Sequence, residues 1–279
     1  MDVVDYHDWD GTAPALVANM PNDAYHAAPG VSKSGLDLIH RSPAHYHLSA
    51  KREPTRAMAI GTAIHTALLE PERFASEYVL LSDTRDRRAS EYKEAVKHHD
   101  PERVLVAKEA ANVAGMQETV RSNSDVRSLL DAEGHRELSV FAHDPHTGTL
   151  VRCRFDLLTT AGAALDVKKT QDARVREFER AIARYRYHVQ VAFYSDVFEW
   201  ATGRALSEFS LVAVEEEPPH TAVPYTLGDM SLAQGRREYR ADLDRYAECV
   251  ASGEWPGYVP DSHIIDVPDW AIDDEEEIF

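Results

Sequence analysis

The chain has only two cysteines, Cys153 and Cys249, in 279 residues. Two thiols build neither a disulfide framework nor a four-thiolate metal site. No apolar run approaches the roughly 20 residues that cross a bilayer. The N-terminus has no basic stretch followed by an apolar signal segment. A soluble, cytoplasmic protein with no membrane attachment is expected. Gly/Ser linkers, Pro-rich linkers, internal repeats and low-complexity stretches are also missing, so one large domain is expected. Its boundaries read as an acidic N-terminal extension over 1–21, a domain over 22–260 and an acidic, flexible tail over 261–279. In the tail Asp269 to Phe279 mixes a charge block with apolar residues, which fits disorder, a docking peptide or a polyanion mimic.

Positive charge is scarce too: 30 Lys and Arg stand against 48 Asp and Glu, for a net −18. A polyanionic ligand is normally met by excess base, so this total opposes nucleic-acid binding. Its distribution weakens the objection. Residues 1–30 hold five acids and residues 261–279 eight, with no Lys or Arg in either stretch, which leaves the interior at −5. Inside, Arg174, Arg176, Arg180, Arg184 and Arg186 crowd one stretch, and Arg85, Arg87, Arg88 and Lys93 another. These are phosphate contacts or solvated faces, with Arg176 and Arg180 able to pair with Glu177 and Glu179.

Periodicity predicts helices over 33–48, 56–70, 88–98 and 108–130, then strands over 136–143, 150–158 and 163–168. A long helix from a cap at Asp172 to about Trp200 follows, with Phe178, Ile182, Tyr185, Val189 and Phe193 as its apolar stripe. A strand over 207–215 and a helix over 229–251 close the order, which argues for α/β layers around one core. Pro218-Pro219 and Val223-Pro224 predict a loop or an edge segment.

The chemistry concentrates where two of these strands meet. Val151, Cys153 and Phe155 alternate with Arg152, Arg154 and Asp156, and Leu165 and Val167 alternate with Asp166 and Lys168. The connecting turn at Thr159 to Gly162 is short, so the strands pair antiparallel and Asp156 can face Asp166. Two such carboxylates repel unless a cation lies between them or one keeps a proton. Asp-x-Lys alone is a common pattern of a half-buried strand. His65, one turn after Gly61 on a narrow helix face, is a packing residue or a ligand for a divalent metal. Arg186, Gln190 and Tyr194 recur every four residues and form a second line of side chains.

Together, Gly61-x-x-x-His65, Asp156, Asp166-x-Lys168 and Gln190-x-x-x-Tyr194 resemble the signature of the PD-(D/E)XK nuclease superfamily, in the branch with RecB-type domains and phage recombination exonucleases. The flanks Tyr25-His26, Val31 to Leu36, Ser42 to Tyr46 and Met58 to His65 resemble the RecE-type (exonuclease VIII) nuclease domain of phages and prophages. The resemblance runs from about residue 22 to 250. Phe155 stands where the superfamily's name places Pro, which is not a catalytic position.

The resemblance implies an α/β fold with a central mixed sheet flanked by helices. It also implies Mg2+, with Mn2+ as a substitute, held by His65, Asp156, Asp166 and the Val167 carbonyl. Glu137 resembles a recurring acid on the preceding strand; a second metal would use it, or only DNA and waters. Lys168 matches the catalytic lysine, and Gln190 and Tyr194 the motif after it. Ser34, Arg85, Arg88, Lys93, Arg154 and Arg186 are the candidate phosphate contacts. The implied activity is 5'-to-3' digestion of linear duplex DNA ends, which leaves 3' single-stranded tails for recombination. The implied partners are a single-strand annealing recombinase and further copies of the chain in a closed ring. The low cysteine count argues against the iron-sulfur members of the superfamily. An endonuclease or a non-catalytic DNA-end binding module fits the same residues.

Overall fold

Three consecutive strands, β5 (Gly134–His143), β6 (Leu150–Thr159) and β7 (Ala163–Thr170), pair antiparallel and form the centre of the molecule. After β7 the chain crosses back through α9 (Val175–Arg184) and α10 (Tyr187–Thr202), so β8 (Glu208–Glu215) lies parallel to β7. That crossover is what a parallel neighbour requires. β9 (Ala222–Thr226) forms the edge beyond β8, with Pro224 in it, as the proline pattern predicts. The computed structural model describes residues 2–49, 55–258 and 265–268. Apart from 265–268, the acidic tail expected over 261–279 lies outside them.

The opposite edge differs from expectation. β1 (Val3–Asp5) and β2 (Ala15–Ala18) complete a seven-stranded sheet in the order β1-β2-β5-β6-β7-β8-β9, with β2 antiparallel to β5. The acidic segment read as an extension therefore supplies two strands, because Leu16 and Val17 are buried against the sheet. α1 (Asn22–Ala27) follows. The pair β3 (Val79–Leu81) and β4 (Val104–Val106) forms a separate small parallel sheet.

Helices cover both faces of the large sheet. On one face α4 (Arg56–Leu69), α5 (Pro71–Glu77), α7 (Ala107–Ser122) and α8 (Ser124–Leu130) pack on Leu157, Leu165, Val167, Val212 and Val214. On the other, α2 (Lys33–Arg41), α10 and α11 (Asp229–Ser252) pack on Val140, Cys153, Phe155, Leu211 and Ala213. Gly235 permits this second layer to close: a Cβ there would sit 2.2 Å from the His188 carbonyl oxygen of α10. α3 (Pro43–His47) and α6 (Ser90–Ala95) are short peripheral turns. The protein therefore has an α/β fold, a mixed sheet between two helical layers.

Three helices expected as continuous are broken. Ser42 caps α3 through the His45 N–H and splits 33–48. Asn123 caps α8 through two N–H groups and splits 108–130. The long helix expected from Asp172 breaks at Tyr185-Arg186, where Arg186 takes a left-handed φ of 55°. Tyr185 thereby leaves the apolar stripe and stands 52% exposed.

Candidate active site

The site begins where the β6–β7 ladder stops. The strands are paired through Leu157 with Leu165. One step further the Asp156 Oδ2 accepts the Val167 N–H at 2.7 Å, so a side chain takes the place of the next backbone partner. The strict alternation of β6 fails at the same point: Phe155 and Leu158 enter one core while Leu157 enters the other. Across from Asp156, Glu137 holds a left-handed φ of 51° and drops out of the β5–β6 pairing. Two local distortions thus turn carboxylates toward the gap.

His65, Glu137 and Asp156 each bring one ligand atom into a group spanning no more than 4.8 Å. The His65 Nδ1 lies 3.5 Å from the Asp156 Oδ2. His65 sits in α4, whose small residues Ala59 and Ala63 pack closely below. His65 and Asp156 therefore meet, with Glu137 beside them.

Asp166 faces a second set of partners. Its Oδ1 accepts from the Gln190 Nε2 at 2.5 Å, and the Gln190 Oε1 accepts from the Lys168 Nζ at 2.9 Å. The Lys168 Nζ is 2.5 Å from the Asp166 Oδ2, yet no donor among the described residues reaches that oxygen with hydrogen-bonding geometry. Gln190 thus clamps the acid and the lysine together. The Lys168 ammonium also lies over the Tyr187 ring, 4.7 Å from its centroid.

Electrostatics follow from burial. Burial, then the neighbouring Asp166, push the Asp156 carboxyl well above its usual range. Burial, then Asp156, push Glu137 up to about 7. Burial lowers His65 against the pull of Asp166 and Glu137, which keeps its imidazole neutral and able to donate a lone pair. Burial also opposes the charge of Lys168, but Asp166 and Asp156 outweigh it and hold the ammonium above its ordinary value. A neutral imidazole, crowded acids and a buried carboxylate oxygen without a donor form a set that a hard divalent cation suits.

Other expected residues are placed differently. Tyr194 packs edge-on against Phe155 at 5.4 Å, and burial pushes its hydroxyl well above the usual range. The Arg186 guanidinium, 12% exposed, spans Asp37 on α2 and Glu238 and Asp242 on α11. Arg154 hydrogen-bonds the Glu137 and Met20 carbonyls and lies over the Tyr25 ring. Both arginines hold the fold together where the sequence suggested phosphate contacts. Ser34, Arg85, Arg88 and Lys93 are exposed. Two residues near the lysine escaped the sequence reading: Tyr187, three places before Gln190, and Lys33, beside Ser34, whose Nζ donates to the Tyr185 carbonyl at 2.8 Å. Only their adjacency to named motif residues marks them in the sequence.

The comparisons with known proteins bear on the family. A family model described as a PDDEXK-like domain of unknown function (DUF3799) matches residues 32–266. No curated protein matches the chain. Among solved structures, a candidate exonuclease from Eubacterium rectale superposes with a TM-score of 0.58 at 12% identity, over 88% of this chain and 92% of that one. A phage-related exonuclease from Haemophilus somnus 129PT shares 10% identity at a TM-score of 0.31, over 65% of this chain and all of its own. The Eubacterium likeness speaks for the fold alone. The family match covers most of the chain and includes His65, Glu137, Asp156, Asp166, Lys168 and Gln190, the residues that meet at the opened sheet. This chain belongs to the PDDEXK-like family and carries the PD-(D/E)XK fold.

Proposed function

We propose that this protein is a metal-dependent 5'-to-3' exodeoxyribonuclease that digests linear duplex DNA from its ends and leaves 3' single-stranded tails. The observation that carries the reading is the junction of two clusters. His65, Glu137 and Asp156 form a ligand set, and Asp166, Lys168 and Gln190 form a clamped acid–lysine pair beside it.

His65, Asp156, Asp166 and the Val167 carbonyl would hold Mg2+, or Mn2+ in its place, with Glu137 available for a second ion. Such an ion supplies Lewis-acid polarisation of the scissile phosphate and a water of lowered pKa. Lys168, kept cationic by its acids, orients the attacking water or offsets charge that develops on the phosphate. Gln190 fixes the lysine's rotamer, so the ammonium needs no reorganisation as charge moves. Tyr194 supports the strand behind Asp156 from the core.

Polarity, preference for ends and the recombination role rest on the RecE-type sequence resemblance. So do an annealing recombinase as partner, a ring of several copies and a cytoplasmic location. No helix among the described residues is long and apolar enough to cross a membrane. The deciding experiment is digestion with Mg2+ of linear duplex, covalently closed duplex and single strands, with each end of the linear substrate labelled separately. Release of 5'-end label from linear duplex, with circles intact, is expected. Cutting of closed circles would establish an endonuclease, and binding without any nucleotide release a non-catalytic end-binding module.

A further inference from the structure

Tyr185 is a large aromatic side chain held in solvent one ring away from Lys168, and the structure holds it there firmly. The left-handed turn at Arg186 ends one helix and starts the next, and it swings Tyr185 out of the buried stripe that its spacing would otherwise join. Lys33 clamps the Tyr185 carbonyl from α2 and itself pairs with Asp37 at 2.7 Å. Arg186 ties the following residue to Asp37, Glu238 and Asp242. An exposed tyrosine on a backbone fixed from two helices is preorganised, so little ordering entropy opposes contact with a ligand.

Its neighbours give it a direction. The Arg184 guanidinium lies 5.5 Å from the Tyr185 ring centroid. Tyr185 stacks on Tyr187 with centroids 5.6 Å apart and planes 26° from parallel. Tyr187 in turn lies under the Lys168 Nζ. Tyr185 and Tyr187 therefore form a stacked pair of rings with a cation at each end, Arg184 on the solvent side and Lys168 at the reacting centre. Flat aromatic faces flanked by cations are what single-stranded nucleic acid uses: bases stack on the rings, and the phosphates between them meet the positive charges.

We propose that Tyr185 is a base-stacking subsite that receives an unpaired nucleotide of the substrate next to the scissile phosphate, with Arg184 toward the adjoining phosphate. The proposal rests on the nuclease reading and adds to it the substrate element the site grips: an unstacked base at a frayed end. Every base presents a π-face, so the grip tolerates any sequence.

The test uses the full chain and a duplex with 2-aminopurine at its 5'-terminal position, whose fluorescence falls when the base stacks. Steady-state digestion with Mg2+ is measured in parallel. Wild type is expected to quench the probe. Y185A is expected to lose the quenching and to raise KM about tenfold, as loss of one stacked base implies, with kcat little changed. Y185F, which keeps the ring, should behave as wild type. Y185L, which keeps apolar cover without a π-face, should behave as Y185A. Melting temperatures confirm that all the variants fold. A wild-type chain that cuts DNA while Y185A matches it in quenching and KM overturns the subsite and leaves the nuclease reading intact. Restoration by Y185L would show that Tyr185 merely covers Tyr187, and it overturns the subsite too. A wild-type chain that neither binds nor cuts DNA overturns both readings.

Discussion

The Asp156 carboxylate accepts the Val167 N–H at 2.7 Å where the antiparallel ladder would have continued. One contact opens the sheet, satisfies a backbone donor in the core and leaves an acid facing a second acid. The cost is electrostatic: Asp156, Asp166 and Glu137 are pressed together with Lys168 as their nearby counter-charge. Asp156→Asn keeps an oxygen for the Val167 N–H and removes one of the repelling charges. The variant is expected to melt at the same or a higher temperature than wild type in chelator, yet to lose cleavage and most of the stabilisation that Mg2+ or Mn2+ gives wild type. Thermal melts with and without metal check this, and an unchanged metal-induced shift would remove Asp156 from the ligand set.

Lys168→Ala separates chemistry from metal binding. The lysine touches Asp166, Gln190 and the Tyr187 ring. Its loss should lower turnover by about 10²–10⁴, the usual worth of a positioned acid–base or charge-stabilising group. The metal-induced melting shift should persist. Turnover within a few-fold of wild type in a folded variant would take the catalytic role from Lys168.

His65→Ala should reduce turnover more at limiting than at saturating Mn2+, because the imidazole is neutral and 3.5 Å from Asp156. A residue that only packed would behave otherwise, lowering the melting temperature and leaving the metal dependence unchanged. A Mn2+ titration of activity beside a melt distinguishes the two.

Arg186 is expected to act on stability. Its guanidinium meets three carboxylates from two helices, and its own carbonyl accepts the Gln190 N–H at 3.1 Å. Removing one partner of a buried ionic group costs about 3–5 kcal/mol. Arg186→Ala should therefore unfold at markedly lower denaturant. A stable R186A with only weakened, less salt-dependent DNA binding would restore the phosphate-contact role.

The difference between Arg186 in sequence and Arg186 in the fold shows what a sequence can carry. The β6–β7 strand pair, the acid–lysine spacing and the helix bearing His65 are local patterns with periods of two or four residues, and the structure places them as the pattern implies. Arg154 and Arg186 look like free cations because their partners, Met20 and Tyr25 for one and Asp37, Glu238 and Asp242 for the other, are distant in sequence. The left-handed turns at Glu137 and Arg186 occupy residue types with no preference for that region, so tertiary contacts alone select them. β1 and β2 escaped because short, acid-flanked strands have too few residues for alternation to register.

Glu137 gives a pH test with a definite sign. Its folded-state carboxyl titrates at about 7 because burial and Asp156 disfavour the anion, against an ordinary value of 4.5 in the unfolded chain. Between those values the native state holds a proton that the unfolded state has released, so without metal stability falls as pH rises. The penalty is absent below pH 4.5 and complete above about 7. It amounts to about 2 kcal/mol once solvent access to the side chain, 29% exposed, is allowed for. Denaturant unfolding in chelator should show this decline from pH 5 to 8, and Glu137→Gln should flatten it. Saturating Mg2+ should reverse the slope, because a cation among the carboxylates favours their ionised forms and binds more tightly as protons leave. A wild-type profile that does not change between chelator and Mg2+ would show that Glu137 does not share its site with a metal.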